Sequence, residues 1–421
     1  MLKTIIFGLC FLAAHISAQE RASLDSLIQI ALRDNLSLRA SHEMIQVARS
    51  KVAQSVAWEP PQVGVEFYET PIRSFPIPTK GGMETDYFVQ QSFPWPGKLP
   101  AKRKASESGA RVTEANREVL SKNITLEIKT AYYELYSIQK RIEINIEQQT
   151  LIRSLIDVTL KQYEVGMGKA SDVVRAQTEL ATLVEAHIDL VKEQTNASIM
   201  LNTILNRMPD ESIGAIPEVD IQMPYWETGY LVELSKSHRD ELAGMKFETE
   251  MNRHEVDAMK REGYPDIMVK TQYKNYRNTS RDFWSLMIGV SLPVAWWSRG
   301  NYTGKIQESR AQVNRAVIET DRMKTTIGAE IAKEKIEMET AYHHSIYHRD
   351  VIIPQAKQVL DLTLADYQNG KTEFFMVMEA YKMYLMAKSD YAMNSAEFLI
   401  AKSRLERAVG LDEVAINQQM K

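Results

Sequence analysis

His344 and His348 stand four residues apart with His343 beside the first, and on a helix that spacing puts two imidazoles on one face, as a zinc site requires. The intervening residues are Ser345, Ile346 and Tyr347, so the glutamate of a His-Glu-x-x-His arrangement is missing. Met376, Met378, Met383 and Met386 bring four thioethers into one short stretch, and thioethers bind soft ions such as Cu(I) or Ag(I). Methionines at helical spacing more simply fill a core or line a passage. No Ser-His-Asp arrangement, phosphate loop or paired-carboxylate context accompanies them. The expectation is a chain without catalytic residues, without a cofactor and without a resident metal.

The elements that carry these side chains are long helices. Between about Ala101 and Glu164 the apolar residues Ile124, Ile128, Ala131, Leu135, Ile138 and Ile142 step by four and three, the period of a supercoiled seam. At 1.5 Å per residue, roughly 64 residues extend about 95 Å, several times the length of a globular helix. Val165-Gly166-Met167-Gly168 closes this run, and a second helix is predicted from about Ala170 to Asn206.

Before the long helix, the sequence predicts a helix from Ser23 to Ala57, stopped by Trp58-Glu59-Pro60-Pro61. A hairpin follows, with strands Val63 to Thr70 and Glu84 to Phe93 around a proline- and glycine-rich loop. After a connector over residues 208–229 the pattern restarts. It comprises a helix from Tyr230 to Glu262, strands at Asp266 to Tyr276 and Arg281 to Pro293, a long run from about Tyr302 to Gln368, a turn at Asn369-Gly370, and a last helix to Val409. Pro61 and Pro265, Tyr163 and Tyr367, Gly166 and Gly370, Ala176 and Ala380, and Asn206 and Gly410 are each 204 positions apart. The chain therefore reads as a duplicated unit: a first repeat over 19–207, the connector, a second repeat over 230–411 and a tail over 412–421. Pro354 lies inside the second long run, where it must bend or restart the helix.

Composition narrows the class. Of 421 residues, 44% are hydrophobic and 25% charged, and the formal charge of −4 speaks against nucleic acid as a partner. Met1-Leu2-Lys3, the apolar block Ile5 to Ala14 and Ile16-Ser17-Ala18 read as a signal peptide over residues 1–18. The single cysteine, Cys10, falls inside it, so no disulfide is expected; a bulky Leu9 before it disfavours lipidation.

The strands carry the sharpest clue to environment. Trp284, Leu286, Ile288, Val290 and Leu292 alternate with Phe283, Ser285, Met287, Gly289 and Ser291, while Ile267, Val269 and Tyr273 alternate with Lys270, Gln272 and Lys274. Lengths near ten residues suit a tilted membrane-spanning strand, and Tyr68, Tyr87, Phe88, Trp95, Tyr264, Trp296 and Trp297 crowd the strand ends as an aromatic belt would. Four strands cannot close a barrel, and a bilayer does not tolerate open edges. The barrel would have to be shared by a cyclic oligomer, with three copies giving twelve strands. A soluble sheet packed on helices is the plainer alternative.

At this point the chain resembles the TolC-like outer-membrane efflux proteins over essentially its whole mature length. The resemblance rests on the duplication, the hairpin placement, Gln91-Ser92-Phe93-Pro94-Trp95-Pro96-Gly97-Lys98-Leu99, and the turn segments Gln162 to Gly168 and Asp366 to Lys371. It implies a mainly α fold with a small β part: a long coiled-coil α-barrel continuing into a homotrimer-shared, 12-stranded transmembrane β-barrel. The implied function is the passive exit duct of a tripartite efflux system in the outer membrane of a Gram-negative bacterium. The implied partners are outer-membrane lipid, a periplasmic adaptor protein and an inner-membrane pump of the RND type. The family's tips that meet the adaptor map to Val165, Gly166, Met167, Gln368, Asn369 and Gly370. In the family's namesake, acidic residues just past the second turn narrow the closed entrance. Aligned on Gly370, those places are Met376 and Glu379, and the first turn offers Asp172 with Arg175, which together predict a less acidic aperture. The Pro96-Gly97-Lys98 segment looks more like the heavy-metal, CusC-like and CzcC-like branch than the drug-export branch. The competing reading is a periplasmic coiled-coil scaffold without a channel.

Overall fold

The computed structural model describes residues 23–277, 281–293, 296–297 and 299–420. The expected signal peptide and Cys10 lie outside the described residues. Ten α-helices and four strands are described: α1 Leu24–Asp34, α2 Leu36–Ser55, β1 Gln62–Tyr68, β2 Glu84–Phe93, α3 Lys98–Glu164, α4 Ala170–Ile204, α5 Thr228–His238, α6 Asp240–Glu262, β3 Ile267–Tyr276, β4 Asp282–Val290, α7 Arg299–Tyr347, α8 Ile353–Gln368, α9 Phe374–Val409 and α10 Glu413–Gln419. The fold is mainly α with one small antiparallel sheet. Among the described residues, no helix is long and apolar enough to cross a membrane.

The duplication recurs in the elements. Helices start at residues 24 and 228, 36 and 240, and 170 and 374, each pair 204 positions apart. The chain packs as two compact units, one taking residues up to Asn35, Asn123–Tyr225 and Lys333–Glu406, the other Leu36–Lys122, Trp226–Ala332 and Arg407–Lys421. Each unit draws on both repeats, so packing and sequence repetition divide the chain differently.

In the first unit the seam residues Ile124, Ile128, Ala131 and Leu135 are buried as the four-three spacing requires. The connector lies on this helix: Gln139 Oε1 accepts from Ile216 N at 3.0 Å, and Tyr136 Oη donates to Glu218 Oε1 at 3.0 Å. Burial, helped by the Glu218 charge, pushes the Tyr136 phenol up to about 12. Pro354 does restart its helix. The end of α7 opens into a π turn over His348–Ile352, and α8 begins with Pro354 in its first turn. The wider turn relieves the clash that the ring would otherwise make with a carbonyl one turn earlier.

The second unit holds the sheet, in the order β1-β2-β3-β4 with every pair antiparallel. Two helices expected to be continuous are broken, at Asn35 and at Arg239, both in the extended region and equivalent in the two repeats. Each break lets a polar side chain reach a distant element. In the first unit Asn35 Nδ2 donates to Ile204 O at 2.9 Å. In the second, the Arg239 guanidinium donates to Glu241 (2.9 Å), Glu330 (3.0 Å) and the Arg407 carbonyl (2.9 Å). The residues expected as a tail contain α10, capped by Asp412 (2.8 Å to Ala415 N) and anchored by fully buried Ile416.

Candidate functional site

Two places in the chain concentrate features that packing alone does not demand, one in each unit. The first is the pair of tight turns at α3–α4 and α8–α9.

Both turns end their helices in the same way. Gly166 N donates to Tyr163 O (3.0 Å) and Met167 N to Gln162 O (2.8 Å); at the other turn Gly370 N donates to Tyr367 O (3.0 Å) and Lys371 N to Asp366 O (2.9 Å). These are Schellman closures, which need a left-handed residue, and the glycines supply it with φ of +75° and +68°. The turns are tied to each other by Gln162 Nε2 donating to Gln368 O (3.0 Å) and by the ion pair Lys169–Glu373 (3.3 Å), of which Lys169 and Glu373 carried no signal in the sequence. Beneath them Tyr367 and Phe374 pack ring against ring at 5.4 Å, within a core that includes Ile152, Leu155, Val377 and Tyr381. Burial and the Asp172 charge raise the Tyr367 phenol, whose hydroxyl has no hydrogen-bond partner among the described residues. Its counterpart Tyr163 is half exposed, so the two turns are not equivalent in packing.

The predicted tip residues Val165, Gly166, Met167, Gln368, Asn369 and Gly370 are all exposed. Asp172 and Arg175 lie beside them, lining with Met167, Gly370, Glu373 and Phe375 an open groove of about 500 Å³. Met376 and Glu379 do not line this groove; they sit on the exposed face of α9. Of the four methionines singled out by spacing, only Met378 is in the core. His343 and His344 are exposed, while His348 Nδ1 lies 3.3 Å from Ala387 O at the start of the π turn. Among the described residues no group of three or more His, Cys, Asp or Glu is placed to hold a metal ion.

The second place is the sheet. Side chains alternate across it, and the register puts Val63, Val65, Tyr87, Val89, Tyr273, Trp284, Leu286, Ile288 and Val290 on one side. All nine are exposed, with Trp284 at 74% and Ile288 at 67%, so the apolar side is uncovered; Phe283 and Met287 on the opposite side are exposed as well. The other side is charged. Lys274 pairs with Glu84 (2.9 Å) and Asp86 (3.2 Å), Lys270 pairs with Glu66 (3.6 Å), and the Lys270 ammonium lies 4.3 Å from the centre of the Phe88 ring. Phe88 covers Gly64, where a Cβ would stand 2.5 Å from the ring. Strand parity places Tyr68 and Phe88 on this charged side, so they are not part of an outward belt. The belt residues that do cluster are Trp95, stacked on Tyr264 at 6.2 Å, and Trp296 against Trp297 at 5.5 Å.

The Pro96-Gly97-Lys98 segment proves to be a junction. Gly97 (φ +95°) lies against the Arg261 guanidinium, and buried Lys98 reaches Asp266 at 2.8 Å at the entry to β3.

A mainly helical chain with two repeated hairpins, glycine-closed tips and an inside-out sheet has the fold of the TolC-like outer-membrane channels. Residues 27–207 match the family described as outer membrane efflux protein. The chain is 17% identical over 315 residues to the outer membrane protein TolC of Vibrio cholerae, covering 72% of each sequence. Among solved structures it is similar to the outer-membrane channel OprN (TM-score 0.77, 17% identity, 92% of this chain and 89% of that one). It is similar to the same degree to CusC (TM-score 0.76, 14% identity, 93% of each chain). These matches bear out the resemblance that the sequence carries, and OprN and CusC share the fold alike.

Proposed function

We propose that the chain is the outer-membrane exit duct of a tripartite efflux system, passively conducting small toxic molecules or metal ions delivered by an inner-membrane pump of the RND type through a periplasmic adaptor. The observation that carries this reading is the sheet. Its apolar side is exposed, its charged side is internally paired, and β1 and β4 each leave one edge without a partner strand among the described residues. In water such a face and two such edges are costly and prone to aggregate. In a bilayer the face is an asset, provided the edges are closed by neighbouring copies.

Three copies give twelve strands and a water-filled bore lined by the Lys270 and Lys274 side. The exposed tips around Gly166 and Gly370 are the adaptor contacts, with Asp172, Arg175, Met376 and Glu379 near the periplasmic aperture. The chain does no chemistry in this reading, because the pump supplies the energy. The test is fractionation of cells producing the chain, followed by unheated gel electrophoresis. Outer-membrane trimers that conduct ions in planar bilayers are expected; a monomer in the periplasmic soluble fraction would support the scaffold alternative and overturn the duct.

A further inference from the structure

Met376, Met383, Met386 and Met393 are 52%, 48%, 69% and 43% exposed, and all four fall on one face of α9. Their steps of seven, three and seven residues keep them within about one helix stripe, with Met383 and Met386 one turn apart and about 5–6 Å between Cβ atoms. Glu379 precedes Met383 by four positions and Asp390 follows Met386 by four, so a carboxylate flanks the closest pair of thioethers on each side.

The duplication provides an internal control for what the fold requires on this face. Positions 204 earlier on α4 are Asp172, Glu179, Thr182 and Asp189. Ala176 and Leu183 on α4 are buried as are Ala380 and Ala387 on α9, although α9 also buries Phe374, Val377, Tyr381 and Leu385, whose counterparts on α4 are not buried. The equivalent positions are thus filled once with polar side chains and once with methionine, so the repeated helix does not by itself call for sulfur there. One cation, Lys382, stands on this face, and it is already paired with Glu179 of α4 at 3.2 Å.

From this we infer that the exposed face of α9 binds soft, monovalent metal ions of the Cu(I) or Ag(I) kind, with Met383 and Met386 as the primary thioether pair and Met376 and Met393 extending the track. Neutral thioethers suit a soft ion of low charge and discriminate against Zn(II) or Mg(II), which prefer imidazole, thiolate or oxygen. Ligands drawn from one exposed helix form an open, weakly held site. Such a site exchanges its ion, in contrast to a closed structural one. On the duct reading the track would pass ions along the bore; the binding itself does not depend on that reading.

The test is silver binding by the full chain purified in detergent, with Cys10→Ser in every sample to remove the one thiol. Equilibrium dialysis in chloride-free buffer with Ag(I) should find at least one ion per chain, and X-ray absorption at the silver edge should show sulfur ligands. Substituting the four methionines by leucine, which is close in volume, should weaken silver binding at least tenfold while circular dichroism and Zn(II) uptake stay unchanged; M383L/M386L alone should account for most of the loss. Equal silver isotherms for parent and leucine variants, or nitrogen and oxygen as the only ligands, would overturn the proposal. Because the assay needs neither a bilayer nor a partner, a failure of the duct reading leaves its outcome intact.

Discussion

Lys98 Nζ lies 2.8 Å from Asp266 Oδ1, across 168 positions of sequence, and only 4% of the lysine side chain is exposed. Trp95 N donates to the same Oδ1 at 2.9 Å, so one carboxylate joins the exit of β2 to the entry of β3. Glu262, at 3.8 Å, is the second carboxylate near the ammonium.

That geometry makes Asp266 costly to remove. Asp266→Asn leaves the buried ammonium with Glu262 alone at 3.8 Å, and because the carboxylates are partly exposed the loss is below that of a fully buried pair, about 1–3 kcal/mol. Thermal unfolding of purified protein should show the loss, whereas Lys98→Met, which removes the charge that needs a partner, should be milder. Equal melting temperatures for all three proteins would refute this account of the junction.

At the tips, the glycines should matter for contact more than for folding. A Cβ at Gly166 or Gly370 meets nothing within 4 Å, so substitution costs only the left-handed backbone, about 1–2 kcal/mol per site. Gly370→Leu should therefore leave assembly near normal and abolish cross-linking to the adaptor, while Gly370→Asn, which tolerates positive φ, should retain both. Loss of the folded chain itself on Gly370→Leu would count against a contact role.

The two faces of the sheet predict opposite responses to one substitution. Leu286→Lys puts a charge on the exposed apolar side, where the cost in a membrane is about 2–4 kcal/mol near the midplane. Its neighbour on the charged side, Ser285→Lys, should be tolerated. Outer-membrane levels of the two variants are the readout, and equal levels would argue for a sheet that never meets lipid.

On the charged side of the same sheet, Gly64→Ala drives a methyl into the Phe88 ring. The ring must leave Lys270, so Gly64→Ala should lower assembly and G64A/F88A should recover part of it. A double variant worse than the single would refute this packing.

A pH dependence follows from Glu241. Burial pushes its carboxyl up, but the hydrogen bond from Arg407 at 2.5 Å and the charge of Arg239 outweigh it, and the group is held below the ordinary 4.5. A depressed carboxyl stabilises the fold above its unfolded value and loses that contribution as pH falls through the folded value. Stability should therefore drop below about pH 4.5, and Glu241→Gln should flatten that limb. Tyr136 sets the opposite limb: its raised phenol stays neutral while the unfolded one ionises, so stability should fall from pH 10 towards about 12. Tyr136→Phe should remove that fall.

Much of this protein was legible before any fold was known. Four-three spacing from Ile124 to Leu135 marked the buried seam, alternation from Trp284 to Val290 marked a two-faced strand, and Gly166 and Gly370 marked the turns. Each of those signals is a local period or a backbone requirement, set by residues within a few positions of one another. The breaks at Asn35 and Arg239 escaped notice because the partners that make an extended residue worthwhile there, Ile204 and Glu330, are far away in sequence. The same holds for the side on which Phe88 lies, the burial of Tyr367 against the exposure of Tyr163, and the division of the methionines into buried Met378 and its exposed neighbours. Periodicity states that a helix has two faces, but which face is covered depends on contacts between segments two hundred residues apart, and only the folded chain brings those together.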